Sequence, residues 1–144
     1  MSMSNASETA LLNLLFNNTD WPNVGDAAGL QNSAAAGSFY VALHTADPGD
    51  AGNQSTSEAS STGYARVAVA RSAGGWTVSG NQVSNTATVQ FGECTAGSAV
   101  VTHFSVGMLS SGAGDILYSG ALDATRSVSS GMTPLFNPAT LTGT

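Results

Sequence analysis

His44 and Asp47 are the two residues whose types and spacing come closest to a catalytic arrangement. A histidine near a carboxylate can act as an oriented general base, or both can ligate a metal ion. Hydrolysis would also need a nucleophile and an oxyanion donor, and no serine lies in the G-x-S-x-G pattern of a nucleophile elbow. We therefore predict that the chain is not an enzyme. The segment Asp47-Pro48-Gly49-Asp50 is better explained as a tight turn, because proline fixes φ and glycine accepts positive φ.

Metal and cofactor sites are weakly supported. Asp47, Asp50 and Glu58 could offer oxygen ligands to Ca²⁺, but their spacing does not match an EF-hand. Cys94 is the sole cysteine, so no disulfide within the chain and no CxxC motif is possible, and a buried, inert thiol is expected. No glycine-rich turn follows a strand and opens a helix, as a phosphate-binding loop must. We predict no metal and no cofactor.

Four aromatic residues could form a sugar-binding platform on a sheet face, although core or hairpin packing is the favoured interpretation for each: Trp21, Tyr40, Tyr64 and Trp76. His103 falls in the middle of a strand pattern, where a hydrogen-bonded histidine is expected rather than a ligand.

The charge balance excludes several partners. The 144 residues carry a net charge of -6, contain no lysine, and have Arg66, Arg71 and Arg126 as their only strong cations. Binding to a nucleic-acid backbone needs clustered Lys and Arg, so direct binding to nucleic acid or to an anionic membrane is not expected. No apolar run approaches the roughly 20 residues of a membrane helix, and the first residues lack the basic segment of a signal peptide. The low charge suits association with copies or partners, although an ordinary acidic globule is the alternative.

Two strand patterns and the segment between them organise the chain. Residues 38–45 and 64–71 alternate with the period of a strand, and residues 46–63, which we call the long loop, hold almost no core side chain. Loops longer than about 12–15 residues are uncommon in compact domains and are usually functional or disordered. The long loop is therefore the first candidate for a functional surface.

A helix is predicted over residues 5–17, because Asn5 followed by Glu8 matches a capping box ahead of a leucine-rich stretch. Leu11, Leu14 and Leu15 share one face, which must be buried against the domain or a neighbouring subunit. Residues 18–37, which we call the arm, form either an extended arm on a partner or a loop on the same domain.

Short strands follow the arm up to the C-terminus. The turn at Gly80-Asn81, an inner face formed by Ala87, Val89 and Phe91, and a longest strand over residues 99–108 are predicted. Eight or more strands without a second helix indicate a mainly β chain, an antiparallel β-sandwich or jelly roll. We predict one domain over residues 1–144, with the β-sandwich over 38–144.

Several segments resemble a family of small virion proteins of tailed bacteriophages, whose members are labelled tail-fibre-like or capsid cement (decoration) proteins. The resemblance covers nearly the whole chain and rests on residues 5–18, Tyr40-Val41-Ala42-Leu43-His44-Thr45-Ala46-Asp47-Pro48-Gly49, Gly63-Tyr64-Ala65-Arg66-Val67, Gly75-Trp76-Thr77-Val78 and Val101-Thr102-His103-Phe104. It implies a jelly roll on the capsid exterior of a short-tailed phage, and it brings no catalytic residues.

The expected function is therefore that of a capsid cement protein that bridges capsomers. Its expected partners are the major capsid protein and further copies of itself, as a dimer or trimer. The alternative is a tail-fibre or tail-tip protein, or a module that binds glycans on the host surface. The candidate interface residues are Leu11, Leu15, Trp21, Tyr40, His44, Asp47, Asp50, Glu58, Tyr64 and Arg66.

Overall fold

The computed structural model describes residues 2–144, and these form two compact units. The first unit combines the described residues up to Ser38 with Ala70–Thr88 and Asn137–Thr144; the second combines Phe39–Val69 with Val89–Phe136. The described elements are α1 (Asn5–Asn17), β1 (Ser38–His44), β2 (Val67–Ala70), β3 (Trp76–Ser79), β4 (Gln82–Asn85), β5 (Val89–Gln90), β6 (Ser98–Gly107), β7 (Ile116–Ser129), β8 (Leu135–Phe136) and β9 (Thr142–Gly143).

The predicted fold class is confirmed. Over residues 2–144 the chain is mainly β, with one N-terminal helix and nine strands. The strand pairs β1–β6, β6–β7, β3–β4, β4–β9 and β5–β8 are all antiparallel. The organisation of residues 1–144 as a single domain stays a prediction.

Helix α1 begins differently from the predicted capping box. Ser4 is the N-cap and its side chain accepts a hydrogen bond from the Ser7 N–H, while Asn5 is already helical and cannot act as the cap. The helix ends at Asn17, and the C-cap residue Asn18 has a φ of 52°, the left-handed conformation common at helix C-termini. Phe16 is the buried residue of the helix, and the predicted leucine stripe is only half-buried.

In the first unit the helix packs on the hairpin of β3 and β4. The Phe16 and Trp76 rings meet edge to face, with centroids 5.0 Å apart. Ser79 pairs with Gln82, so Gly80-Asn81 is the predicted two-residue turn, and Gly80 supplies the positive φ of 62°. Buried Asn85 binds the returning C-terminal segment, because its Oδ1 accepts from the Leu141 N–H and its Nδ2 donates to the Asn137 carbonyl.

In the second unit a four-stranded sheet has the order β2-β1-β6-β7. Its centre is apolar: Val41 lies opposite Val106, and Leu43 lies opposite Phe104. A continuous series of ring contacts links five aromatic residues, Tyr64, Phe91, Phe136, Phe104 and Tyr118.

Two strand predictions were wrong in detail. The longest described strand is β7, with 14 residues, and not the predicted strand over residues 99–108, because β7 pairs with β6 on both sides of an irregularity. The pairing changes from Val101 with Arg126 to His103 with Ala121, so β7 accommodates three extra residues in a bulge. Between residues 86 and 91, only Val89–Gln90 is a strand, and Ala87 is exposed rather than inward.

Candidate functional site

The long loop of the second unit is held to the sheet from both of its ends and from its middle. The Thr45 N–H donates to the Ser57 carbonyl and the Ala59 N–H donates to the Leu43 carbonyl, so the loop returns alongside the end of β1. Ala59 is buried. The long loop, which is polar and has no strand pattern in the sequence, therefore follows a defined path along the sheet.

Gln54 fixes the middle of the loop. Its side chain is 0% exposed; the Nε2 donates to the Tyr40 carbonyl at 3.3 Å, and the Oε1 accepts from the Leu109 N–H at 2.9 Å. Its backbone N–H donates to the Gly114 carbonyl at 2.8 Å. A buried amide is costly unless it is hydrogen-bonded, and here both ends of the amide have partners.

Glu58 and Arg66 form a bidentate ion pair. The Nε and Nη2 of Arg66 lie 2.7 Å from the two carboxylate oxygens of Glu58, and the Tyr64 hydroxyl donates to the same carboxylate at 2.9 Å. The hydrogen bonds to Glu58 raise the pKa of Arg66, and burial raises the pKa of Tyr64 well above its usual range. This geometry is the strong form of a carboxylate–guanidinium interaction.

Arg66 and Tyr64 also bind backbone groups. Arg66 donates to the Leu109 carbonyl at 3.0 Å and to the Gly112 carbonyl at 2.8 Å, and Tyr64 accepts from the Leu43 N–H at 3.0 Å. The cluster of Glu58, Tyr64 and Arg66 thus ties the long loop to β1 and to the β6–β7 connection.

His44 joins the long loop to β6. It is 0% exposed; its Nδ1 lies 2.8 Å from the Thr56 carbonyl, and its Nε2 lies 2.7 Å from the Ser105 hydroxyl. The carbonyl accepts, so Nδ1 carries the proton and Nε2 accepts from Ser105. Burial lowers the pKa of His44, which favours this neutral form.

The contact of His44 with Ser105 has the spacing of a base and a nucleophile, but both side chains are fully buried. A reacting substrate needs space beside the nucleophile and donors for an oxyanion. The predicted partner, Asp47, does not contact His44: its carboxylate accepts the Gly49 N–H instead, and Gly49 has a φ of 68°. The side chain of Asp47 thus closes a turn over residues 47–49, and the backbone turn lies later than predicted, because the Gly52 N–H donates to the Gly49 carbonyl at 3.1 Å.

The calcium interpretation loses its main ligand, because the Glu58 carboxylate is occupied by Arg66 and Tyr64. Asp47 and Asp50 are exposed. Among residues 2–144, no group of three or more His, Cys, Asp and Glu side chains is arranged to hold a metal ion. Cys94 is buried, and its thiol lies near the carbonyls of Ala96 and Gly97.

The candidate residues of the first unit lie on α1 and the arm. Leu11, Leu15 and Trp21 are all half-buried, and the carbonyl of Leu15 accepts from Arg71 at 2.5 Å. Trp21 pairs with Leu30 through two backbone hydrogen bonds of 2.9 Å, which close the arm on itself.

The aromatic residues do not form one open platform. Trp76 is fully buried, and Tyr64 stacks on Phe91 with ring centroids 6.0 Å apart. Tyr40 is half-buried on β1. Packing, the interpretation favoured from the sequence, describes Tyr64 and Trp76.

Sequence reasoning missed Gln54 and Ser105. Gln54 stands between Asn53 and Ser55, where nothing in the local pattern separates a buried amide from its solvated neighbours. The available signal was glycine: a Cβ at Gly107 or Gly114 would lie 2.3 Å from an atom of the Gln54 side chain. Glycines at the end of a strand and inside a turn mark a close approach, although they do not name the residue that approaches.

A family model described as podophage GP4 fiber I protein gp80 matches residues 2–144. The comparison with curated proteins finds no match. No helix within the described residues has the length and apolar character needed to cross a membrane. The match covers nearly the whole chain, and so the chain belongs to this podophage fiber I protein family, a family of virion structural proteins of short-tailed phages.

Proposed function

We propose that this protein is a non-enzymatic structural subunit of a fibre of a short-tailed phage. The observation that carries the proposal is the family match over residues 2–144, whose description names a fiber protein. A tail-fibre protein is the alternative that the residues left open beside the capsid cement role, and the family description favours it over that role.

The chemistry of the second unit supports a structural role. Its two main side-chain pairs, Glu58 with Arg66 and His44 with Ser105, hold backbone segments of the unit together. Groups used in this way stabilise a shape and are not free to bind a substrate. Self-association as a dimer or trimer and attachment to other virion proteins are part of the proposal.

The capsid cement role is the competing assignment. It would place the protein on the capsid exterior with the major capsid protein as its partner, and a surface poor in charge fits either position. Glycan binding has less support, because Trp76 and Tyr64 are committed to packing.

Cryo-electron microscopy of purified virions tests the assignment directly. Density for this fold within a fibre, at a few copies for each fibre, is the expected result. Density spread over the icosahedral shell and bridging capsomers would overturn the fibre proposal and restore the cement role.

A further inference from the structure

The connection between β6 and β7, residues 108–115, exposes two neighbouring large apolar side chains. Met108 is 41% exposed and Leu109 is 49% exposed. Scattered single apolar residues are ordinary on a protein surface, but here two that are adjacent in sequence are exposed together just after the end of β6. We call residues 108–115 the apolar tip.

Buried side chains hold the backbone of the apolar tip in place. Leu109 has both backbone groups bound, its N–H by Gln54 and its carbonyl by Arg66. Arg66 also binds the Gly112 carbonyl, and the Gln54 N–H binds the Gly114 carbonyl. The leucine side chain is therefore displayed on a backbone that the interior of the unit has fixed.

A simple connection would not need these supports, since two residues suffice to join antiparallel strands. The Gln54 amide lies so close to Gly107 and Gly114 that neither position has room for a Cβ. Fixing a binding loop in advance lowers the entropy cost of association and improves affinity. Hydrogen bonds that fix the backbone in this way are expected beneath a residue that anchors a binding partner.

Charge indicates which kind of partner fits. Asp115 is exposed at the end of the apolar tip, and its backbone carbonyl accepts from the Met108 N–H. Arg66, which reaches the tip, is paired with Glu58. The one charged residue of the apolar tip itself, Asp115, is therefore negative.

A second copy of the chain would be a poor occupant of this particular surface, because it has no lysine and its Arg66 is already paired with Glu58, so it offers few cations to face Asp115. Like charges facing each other across an interface cost affinity, whereas opposite charges favour encounter and fix the register. We propose that the apolar tip, with Leu109 as its anchor, inserts into an apolar pocket bordered by Lys or Arg on a different virion protein. The choice of a virion protein rests on the proposed function.

The first experiment removes the apolar side chains but leaves the supports. Phage is produced with the double variant Met108→Ser/Leu109→Ser, and copies of the protein per purified particle are counted by quantitative mass spectrometry. We expect a loss of about tenfold or more, the size typical of central anchor residues. The matched control is Met132→Ser/Leu135→Ser, in which two residues of the same unit, each 47% exposed, are changed in the same way.

Folding is checked separately by the thermal midpoint of each purified variant. Both doubles are expected to stay near the wild type, because all four side chains are exposed. Incorporation of the tip variant at the wild-type level, or an equal loss in the control, would overturn the proposal.

The second experiment identifies the occupant in an otherwise unchanged chain. Leu109 is replaced by a photoreactive amino acid, and intact virions are irradiated. An adduct with a Lys- or Arg-flanked segment of a different virion protein supports the proposal, and an adduct with a second copy or no adduct overturns it. If the protein lies outside the fibre while the adduct forms as expected, the fibre assignment fails and the docking surface stands.

Discussion

The long loop and the arm have similar compositions, yet different contacts hold them in place. Buried side chains fix the long loop, whereas contacts between its own residues close the arm. Both segments are rich in small and polar residues and contain no Lys or Arg. The long loop is fixed by buried side chains, Gln54 from within the loop and His44 from β1. The arm is closed by its own residues: Asn18 pairs with Ser33, and Trp21 pairs with Leu30.

Beyond those closing contacts, the arm is almost entirely exposed from Pro22 to Ala28. Arg71 binds the Ala36 carbonyl at 3.0 Å, so the return of the arm is also tied to the first unit. The difference shows that polar composition does not decide whether a long connection is structural. What decides it is whether the connection sends side chains into a core, where each lost hydrogen bond carries a desolvation cost.

The largest difference between the two segments is expected from Gln54→Ala. The substitution leaves the Leu109 N–H without its acceptor and opens a cavity, so the free energy of unfolding should fall by about 3 kcal/mol. The matched change in the arm, Gln31→Ala, should stay within about 0.5 kcal/mol because Gln31 is exposed. Chemical denaturation of both variants checks the pair, and equal losses would refute the comparison.

Glu58→Gln should have the next largest effect. The neutral amide keeps the shape of the side chain but leaves Arg66 without its counter-charge, which should cost about 2 kcal/mol. Asp50→Asn removes the same charge from an exposed position of the same loop and serves as control, with an expected change within about 0.5 kcal/mol. Urea titrations measure both, and a Glu58→Gln variant as stable as the control would show that the ion pair does not anchor the loop.

Acid should weaken the long loop before the arm. Burial holds the pKa of His44 below its ordinary value of 6.5, despite the nearby Glu58 carboxylate and with Arg66 and His103 opposing protonation. The unfolded chain therefore binds this proton at higher pH than the folded chain, and the stabilisation present above pH 6.5 is lost as pH falls through the lowered pKa.

Hydrogen exchange as a function of pH, with His44→Gln as the control, measures this effect. The Gln variant removes the titration but keeps groups that can bind Thr56 and Ser105. The protection factors of loop amides such as that of Ala59, which correct for the slower intrinsic exchange in acid, should fall in the wild type as pH falls, and not in the variant. Identical pH profiles for the two proteins would contradict the role given to His44.

The smallest effect is expected from shortening the arm. Trp21 and Leu30 form an antiparallel hydrogen-bonded pair, so the eight residues between them can be replaced by Asn-Gly, which closes such a pair in a two-residue turn. Loop-closure entropy varies slowly with length, and stability should change by less than about 1 kcal/mol. A larger loss in thermal denaturation would show that residues 22–29 contribute to the fold.

The fold class was largely predictable because it depends on local patterns. Alternation at residues 38–45 fixed β1, the leucine-rich stretch fixed α1, and Gly80-Asn81 fixed a hairpin. The details that failed depend on distant partners. The length of β7 is set by its pairing with β6 around a bulge, and the exposure of Ala87 is set by where β5 ends.

The candidate site was predictable as a region but not as a set of contacts. Glu58, Tyr64 and Arg66 were named as candidates from the long loop and the strand that follows it, and the structure brings these three together. His44 was named beside Asp47 and instead contacts Ser105, 61 residues away in sequence. Gln54 was not distinguished from its polar neighbours at all.

The sequence by itself determined the mainly β class, the single helix of the described chain, and the absence of a cluster of cations, since these follow from residue types and short-range periodicity. Only the tertiary structure decided which polar residues of the long loop are buried and that they support an exposed apolar tip. The physical reason is that a hydrogen bond such as that between Gln54 and Leu109 joins residues 55 positions apart, and no local pattern records such a partner.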